Sequence, residues 1–379
     1  MRNFTKLFFT KTSINEGIVL FINFLFLIKY TSRFSTFYVF ISLFITSIIY
    51  ILLYYKKLII SKFIILKAPI YIYLVTYTIV CGLLFFYINP SSINVDRWSV
   101  ITSFWDSYFK GDYVYLAKSN VGNYPGPMPF YFVLALPFYL IGELGYYSLL
   151  GIFTFFILLK YTKINNSTIF FYVVFLSCSI FYIWEILCRS TIFFNGILVV
   201  YVINILLNTN FYNLKKVVIV STLLGLTLST RNVYVIPFII VFVYLLKSKI
   251  IGVKHFFYVA IVSLCIFCLT FLPFIHNHLS LFLKMNPFII QSSGLMPFNL
   301  TLIPITLSFI AGYYAKNKIE IFNYSGYLLF LTIVIYFIYS TFRFGFYNTF
   351  FKSYADISYF ILCIPFLLFS DVIKFNKLN

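Results

Sequence analysis

Between Phe256 and Ile275 the chain runs twenty residues without a charged side chain, the length an α-helix needs to cross a bilayer. Comparable apolar runs fall at about 16–28, 35–55, 68–88, 144–160, 167–184, 190–207, 216–230, 232–246, 256–275, 297–315, 321–340 and 356–371. None alternates with the period of two expected of outer-membrane barrel strands. With 62% of 379 residues hydrophobic and ~20 residues per span, the chain fills on the order of twelve helices and leaves little for a globular domain. Only 10% of residues are charged, against about a quarter in soluble domains. A soluble enzyme, a fibrous protein, a secreted disulfide scaffold and a DNA-binding protein are excluded. The expected fold class is all-α: one polytopic transmembrane helical bundle over residues 1–379.

A net charge of +19 on a soluble protein would suggest nucleic acid, but here Lys and Arg lie between apolar runs and set topology. With both termini in the cytoplasm, eighteen of the 28 basic residues face inward, as the positive-inside rule asks. The ten left outside include five of the six arginines: Arg33, Arg97, Arg189, Arg231 and Arg343. The first run follows Arg2, Lys6 and Lys11 as a signal peptide would, yet lacks a small-residue cleavage site and reads as a retained helix. The six cysteines show no pairing pattern, and the CxxC of Cys265 and Cys268 lies within a span, where packing is the expected role. High Phe, Ile, Tyr, Asn and Lys usage fits an AT-rich coding sequence and a bacterial inner membrane.

Six of the nine acids fall on the outer side: Asp96, Asp106, Asp112, Glu143, Glu185 and Asp356. Two outer loops are long, 89–127 and 276–296. Segment 128–142 is apolar but short and proline-bearing, and a crossing there would reverse every later Lys, so it is expected to lie in the interface. The first loop concentrates Asp96, Arg97, Trp98, Trp105, Asp106, Asp112, Tyr113 and Tyr124. Carboxylates beside aromatic rings can activate a hydroxyl and stack a sugar face; the competing reading is an ordinary interfacial aromatic belt.

An Asp just beyond a span, the Gly111-Asp112-Tyr113-Val114-Tyr115 stretch and the Tyr124-Pro-Gly-Pro-Met-Pro-Phe-Tyr131 turn, in that order, resemble the first outer loop of the GT-C superfamily of integral-membrane glycosyltransferases. The resemblance implies a hexosyl or pentosyl transferase drawing on a polyprenyl-phosphate-linked sugar and acting on a glycan or lipid-linked acceptor. It also implies that Asp96 serves as general base or as ligand to a divalent cation, Mg2+ or Mn2+; no metal ligand is assigned otherwise, and no nucleic acid is expected as partner. Two departures from the family pattern stand out: two spans precede the one leading into the loop, and the turn reads YPGPMPFY rather than a plain YPP-type run.

Arg189, Arg231 and Arg343 stand at outer span ends, where a guanidinium suits a lipid phosphate. An internal pair, Glu185 with Arg189 at i,i+4, or snorkelling to headgroups would account for them equally. Glu185 joins the substrate-contacting set on this reading. His276 and His278 open the second loop without a nearby carboxylate and read as solvated. Two other functions fit the layout: an O-antigen-type polysaccharide polymerase acting on lipid-diphosphate oligosaccharides, and a lipid-linked sugar flippase or transporter. The motif order favours the transferase, and the placement of charges at span ends, without an internal repeat, weighs against transport.

Overall fold

A computed structural model describes residues 14–56, 59–60, 70–93, 95–294 and 296–378. Among them the chain is helical throughout, with no strand. Its helices are α1 (Ile14–Thr31), α2 (Tyr38–Tyr54), α3 (Ile70–Tyr87), α4 (Arg97–Lys110), α5 (Pro129–Ile141), α6 (Gly145–Tyr161), α7 (Asn166–Cys178), α8 (Ile180–Leu187), α9 (Ile192–Leu207), α10 (Leu214–Leu228), α11 (Val235–Lys247) and α12 (Val253–Leu269). Three short helices follow, α13 (Leu272–Ile275), α14 (Leu279–Lys284) and α15 (Pro287–Gly294), then α16 (Phe298–Tyr314), α17 (Lys318–Phe344), α18 (Phe346–Phe350) and, after a 3-10 segment at Ile357–Cys363, α19 (Ile364–Leu378).

Each of the twelve apolar runs carries helix. Five segments are long and apolar enough to cross a membrane: Ile14–Thr31, Ile70–Tyr87, Val253–Ile275, Lys318–Phe344 and Ile357–Asn376. A sixth appears when α7 and α8, bent by 61° at their junction, are taken as one span. The segment Ile357–Asn376 is 83% buried and forms the axis of the bundle, whereas α3 and α12 are mostly exposed and turn apolar side chains such as Ile72, Phe86 and Leu264 outward. Apolar surface on the outside is what a lipid-solvated bundle requires. Cys265 and Cys268 share that outward face of α12, so the expected packing role is corrected: they face away from the bundle.

Contacts between helix ends sort the bundle into two poles. At one, Asn15 donates to Asp371 at 3.0 Å and to Asn323 at 2.7 Å, Lys318 reaches Asn204, Lys247 reaches the Tyr313 carbonyl at 2.5 Å, and Lys56 pairs with Glu16. The start of α1 and the end of α19 therefore share a pole. The other pole carries a cap built from 95–142 and 271–291.

The break between α7 and α8 leaves backbone groups without helical partners inside an apolar bundle, where each would be costly. Fully buried Asn23 of α1 accepts from the Ile180 amide at 2.9 Å, and the Ser179 hydroxyl returns to the Phe175 carbonyl at 2.7 Å. The run at 167–184 shows neither Pro nor Gly to mark the bend.

In the cap, α4 is a helix within what reads as a long loop. Ile101, Phe104, Trp105 and Tyr108 recur at helical spacing, and Gly111 closes the helix at φ 80°, a left-handed value that glycine adopts without strain. Segment 128–142 forms α5, thirteen residues started by Pro129 and ended by left-handed Gly142. It lies against α4, with Phe104 stacked on Phe132. These residues, with Trp105, Tyr115, Tyr131, Tyr147 and Phe274, form an aromatic core separate from that of the bundle.

Candidate functional site

The cap meets the bundle through backbone and arginine contacts. The amides of Met128 and Phe130 donate to the carbonyls of Thr230 and Ser229 at 3.2 and 2.9 Å, seating the start of α5 on the end of α10. The second loop closes from the far side: the Tyr113 hydroxyl donates to the Met285 carbonyl at 2.6 Å, and Gln291 donates to the Gly126 carbonyl.

Asp96 sits at the N-terminal cap position of α4 without bonding its amides, half-buried, and accepts from the Asn123 amide at 2.7 Å. Arg97 turns the other way. It pairs with Asp356, donates to the Ser358 hydroxyl at 2.8 Å and lies over the Tyr359 ring at 5.2 Å. Asp356 also accepts from the Ser358 amide at 2.8 Å. Burial disfavours its charge, but Arg97, Lys29 and the Ser358 bonds outweigh that and hold the carboxyl below the usual carboxylate range. Arg97 is thus neutralised by a partner 259 residues away, and Asp96, though in the field of Arg97, makes no ion pair with it.

Arg189 is also spent. One per cent exposed, it forks onto Glu143 at 3.1 and 3.3 Å and donates to the carbonyls of Phe85, Ile88 and Leu187. This corrects the expected Glu185–Arg189 pair: Arg189 has left-handed backbone at φ 54°, off the end of α8, so the i,i+4 geometry of a helix does not apply. Glu185 instead accepts from the Phe193 amide at 2.9 Å and the Ser190 hydroxyl at 3.4 Å, and its second carboxylate oxygen has no partner.

Arg231 differs from both. It is 8% exposed and makes no ion pair among the described residues; Glu185 stands within its electrostatic range, its guanidinium lies over the Tyr131 ring at 5.5 Å, and its Nε is buried without a hydrogen-bond partner. Tyr131 stands within electrostatic range of Arg97 as well. Arg343, by contrast, is exposed over the Phe344 ring at 4.9 Å.

Several residues expected to contact a sugar do not present a free face. Trp105 is 3% exposed and donates from its indole to the Phe132 carbonyl at 3.1 Å, and Tyr113 is buried beneath Met285, so both belong to the cap core. Tyr124 is half-buried with Lys118 over its ring at 5.6 Å. Trp98 is half-buried, with its indole nitrogen unpartnered. Asp106 is exposed and accepts from Tyr139 at 2.5 Å; Asp112 is exposed beyond the far end of α4. At 1.5 Å per residue, Asp106 stands about 15 Å and Asp112 more than about 20 Å along the helix from Asp96, so the three cannot share one ion or one sugar ring. Among the described residues no three His, Cys, Asp or Glu side chains gather to hold a metal.

Asn123, Tyr131, Glu143, Ser358 and Tyr359 enter the site without having been expected in it. Only Tyr131 carried a signal, as the end of the proline-rich turn.

The fold and site define a protein that is all-helical among the described residues, with membrane-capable spans and arginines gathered where a cap meets the bundle. No family model, no curated protein and no solved structure matches the chain.

Proposed function

We propose that the protein is a GT-C-like membrane glycosyltransferase that moves a sugar from a polyprenyl-phosphate donor to a glycan or lipid-linked acceptor. The observation that carries this reading is Arg231: buried at the pole that carries the cap, with no acid in direct ion-pair contact and its Nε without a hydrogen-bond partner, whereas Arg97 and Arg189 each have a bonded carboxylate. A guanidinium without a directly bonded acid is expensive in a low-dielectric site and leaves a place for an anion from outside the chain. A lipid phosphate supplies it.

In this reading Asp96 takes the acceptor hydroxyl proton, with Asn123 fixing the carboxylate. The acceptor oxygen bonds to the anomeric carbon as the bond from that carbon to the phosphate oxygen breaks. The electron pair leaves with the polyprenyl phosphate, whose charge Arg231 neutralises. A single displacement inverts the anomeric centre. Twelve crossings, with the cap outside and the lysine-rich pole in the cytoplasm of a bacterial inner membrane, complete the proposal.

The test is sugar transfer by membranes carrying wild type, Asp96→Asn or Arg231→Gln, given a panel of polyprenyl-phosphate sugars and total lipid-linked acceptors. Donor consumption by wild type alone is expected. Equal consumption by all three proteins would remove both residues from the chemistry, and no consumption of any donor would favour the polymerase or flippase.

A further inference from the structure

Apart from the buried arginines, three cations stand exposed on the rim of the pole that carries the cap: Arg33 between α1 and α2, Arg343 in the last turn of α17 and Lys352 just past α18. Ring contacts draw these segments together. Tyr38 at the start of α2 meets Phe351 edge-on with centroids 6.4 Å apart, and Lys29 near the end of α1 lies over the Phe350 ring at 5.8 Å. Gly345, left-handed at φ 79°, turns the chain from α17 straight into α18.

Each cation is laid over a ring of its own segment: Arg33 over Tyr30 at 5.1 Å, Arg343 over Phe344 at 4.9 Å and Lys352 over Tyr347 at 5.9 Å. A ring face steadies the charge without consuming the N–H groups, which remain available to an anion. None of the three makes an ion pair among the described residues. No Asp or Glu occurs from Gly17 to Val95 or from Ile321 to Ala355, and Asp356, which follows, is bonded to Arg97 and stands in the field of Lys29. Around the cations the surface is apolar, with Phe34 89% and Phe342 88% exposed and Phe346 and Tyr347 also turned outward.

We propose that this rim binds an anionic phospholipid, its head among Arg33, Arg343 and Lys352 and its acyl chains against the exposed rings. A soluble anion would satisfy the cations but leave the rings in water. A zwitterionic lipid would cover the rings but bring a further cation among three that have no acid. Charge and apolar surface together therefore select a lipid that is net negative, through charge-assisted bonds from N–H groups to phosphate oxygens. Nothing in this depends on sugar transfer.

The experiment gives the full chain in detergent equal amounts of dioleoyl phosphatidylglycerol and dioleoyl phosphatidylcholine and reads the retained lipid by native mass spectrometry. Wild type is expected to keep phosphatidylglycerol over phosphatidylcholine. Combining Arg33→Gln, Arg343→Gln and Lys352→Gln should reduce that preference about tenfold or more. Combining Lys215→Gln, Lys216→Gln and Lys254→Gln, which removes the same charge from exposed positions at the opposite pole, should leave it within about twofold. Phosphatidylglycerol should also raise the thermal midpoint of wild type and of this control, but not that of the rim variant. Lys352→Glu alone, which sets a negative charge on the rim, should lower retention too and gives the answer if the triple variant does not fold. Equal retention of the two lipids by wild type, equal loss in the two triple variants, or displacement of the lipid by excess inorganic phosphate overturns the proposal.

Discussion

Asp356→Asn separates what the Arg97–Asp356 pair does for stability from what it does for chemistry. Asparagine keeps the side-chain shape and the acceptor for the Ser358 amide but leaves Arg97 without a counter-charge. The cost is bracketed by about 0–1 kcal/mol for an exposed pair and about 3–5 kcal/mol for breaking a buried one. With the Arg97 side chain 13% exposed and that of Asp356 32%, it comes to ~2 kcal/mol, which for a chain of 379 residues lowers the thermal midpoint by roughly 2–3 °C. Because the folded-state carboxyl lies below its unfolded value, the pair's contribution is complete above the unfolded pKa of about 3.9 and is lost as pH falls through the folded one. The gap between wild type and variant should therefore be constant near neutrality and close only on strong acidification.

The chemical consequence is independent of that. Once Asp356 is neutral, the carboxylate left in the field of Arg97 is Asp96. Freed of Asp356, Arg97 can pair with Asp96 directly, and transfer should slow because a carboxylate engaged by a guanidinium removes a proton less readily. The assay is the rate of sugar transfer by both proteins, with midpoints measured on the same preparations. A lowered midpoint with an unchanged rate would refute Asp96 as base.

Arg231→Met should reduce transfer at least 100-fold in the membrane assay without lowering the thermal midpoint, because it removes a buried guanidinium that has no directly bonded acid and an Nε without a hydrogen-bond partner. Arg189→Met should do the reverse to stability, costing about 3 kcal/mol in detergent unfolding, since it orphans Glu143 and three carbonyls; an unchanged midpoint would contradict the pairing. Gly225→Ala should force α10 from α12 and cost about 1–3 kcal/mol, read as a lower midpoint and looser proteolytic resistance. Trp105→Ala should cost about 3 kcal/mol and leave KM for the acceptor in place, the pattern of a core residue; a selective rise in KM would return it to the sugar site.

The helical segments were legible because an apolar run solves one problem, solvation by lipid, that each segment meets alone. Segment 128–142 was readable as a helix for a similar reason: its apolar length, the proline that starts it and the glycine that ends it are all local. Helix α4 was overlooked although Ile101, Phe104, Trp105 and Tyr108 show its period, since aromatic and charged residues in a loop invite a reading as site rather than as core. Trp105 and Tyr113 were misplaced by the same inference. The ion pairs were not legible at all. Glu143 meets Arg189 across 46 positions and Arg97 meets Asp356 across 259, and nothing in the local sequence tells which outer arginine finds an acid and which is left over. Arg231 was singled out beforehand, but that it is buried with no acid in ion-pair contact belongs to tertiary structure.

The amide of Ile180 waits on a side chain made long before it. A membrane protein's spans emerge from synthesis in order, and Asn23 is in place some 150 residues ahead of the kink it will satisfy. The first helix thus carries a polar group into lipid on credit, to be matched only when the seventh segment bends beside it. Loss of that helix would strip the bend of its acceptor, so α1 is an assembly part whose work begins only once the later helices have been made.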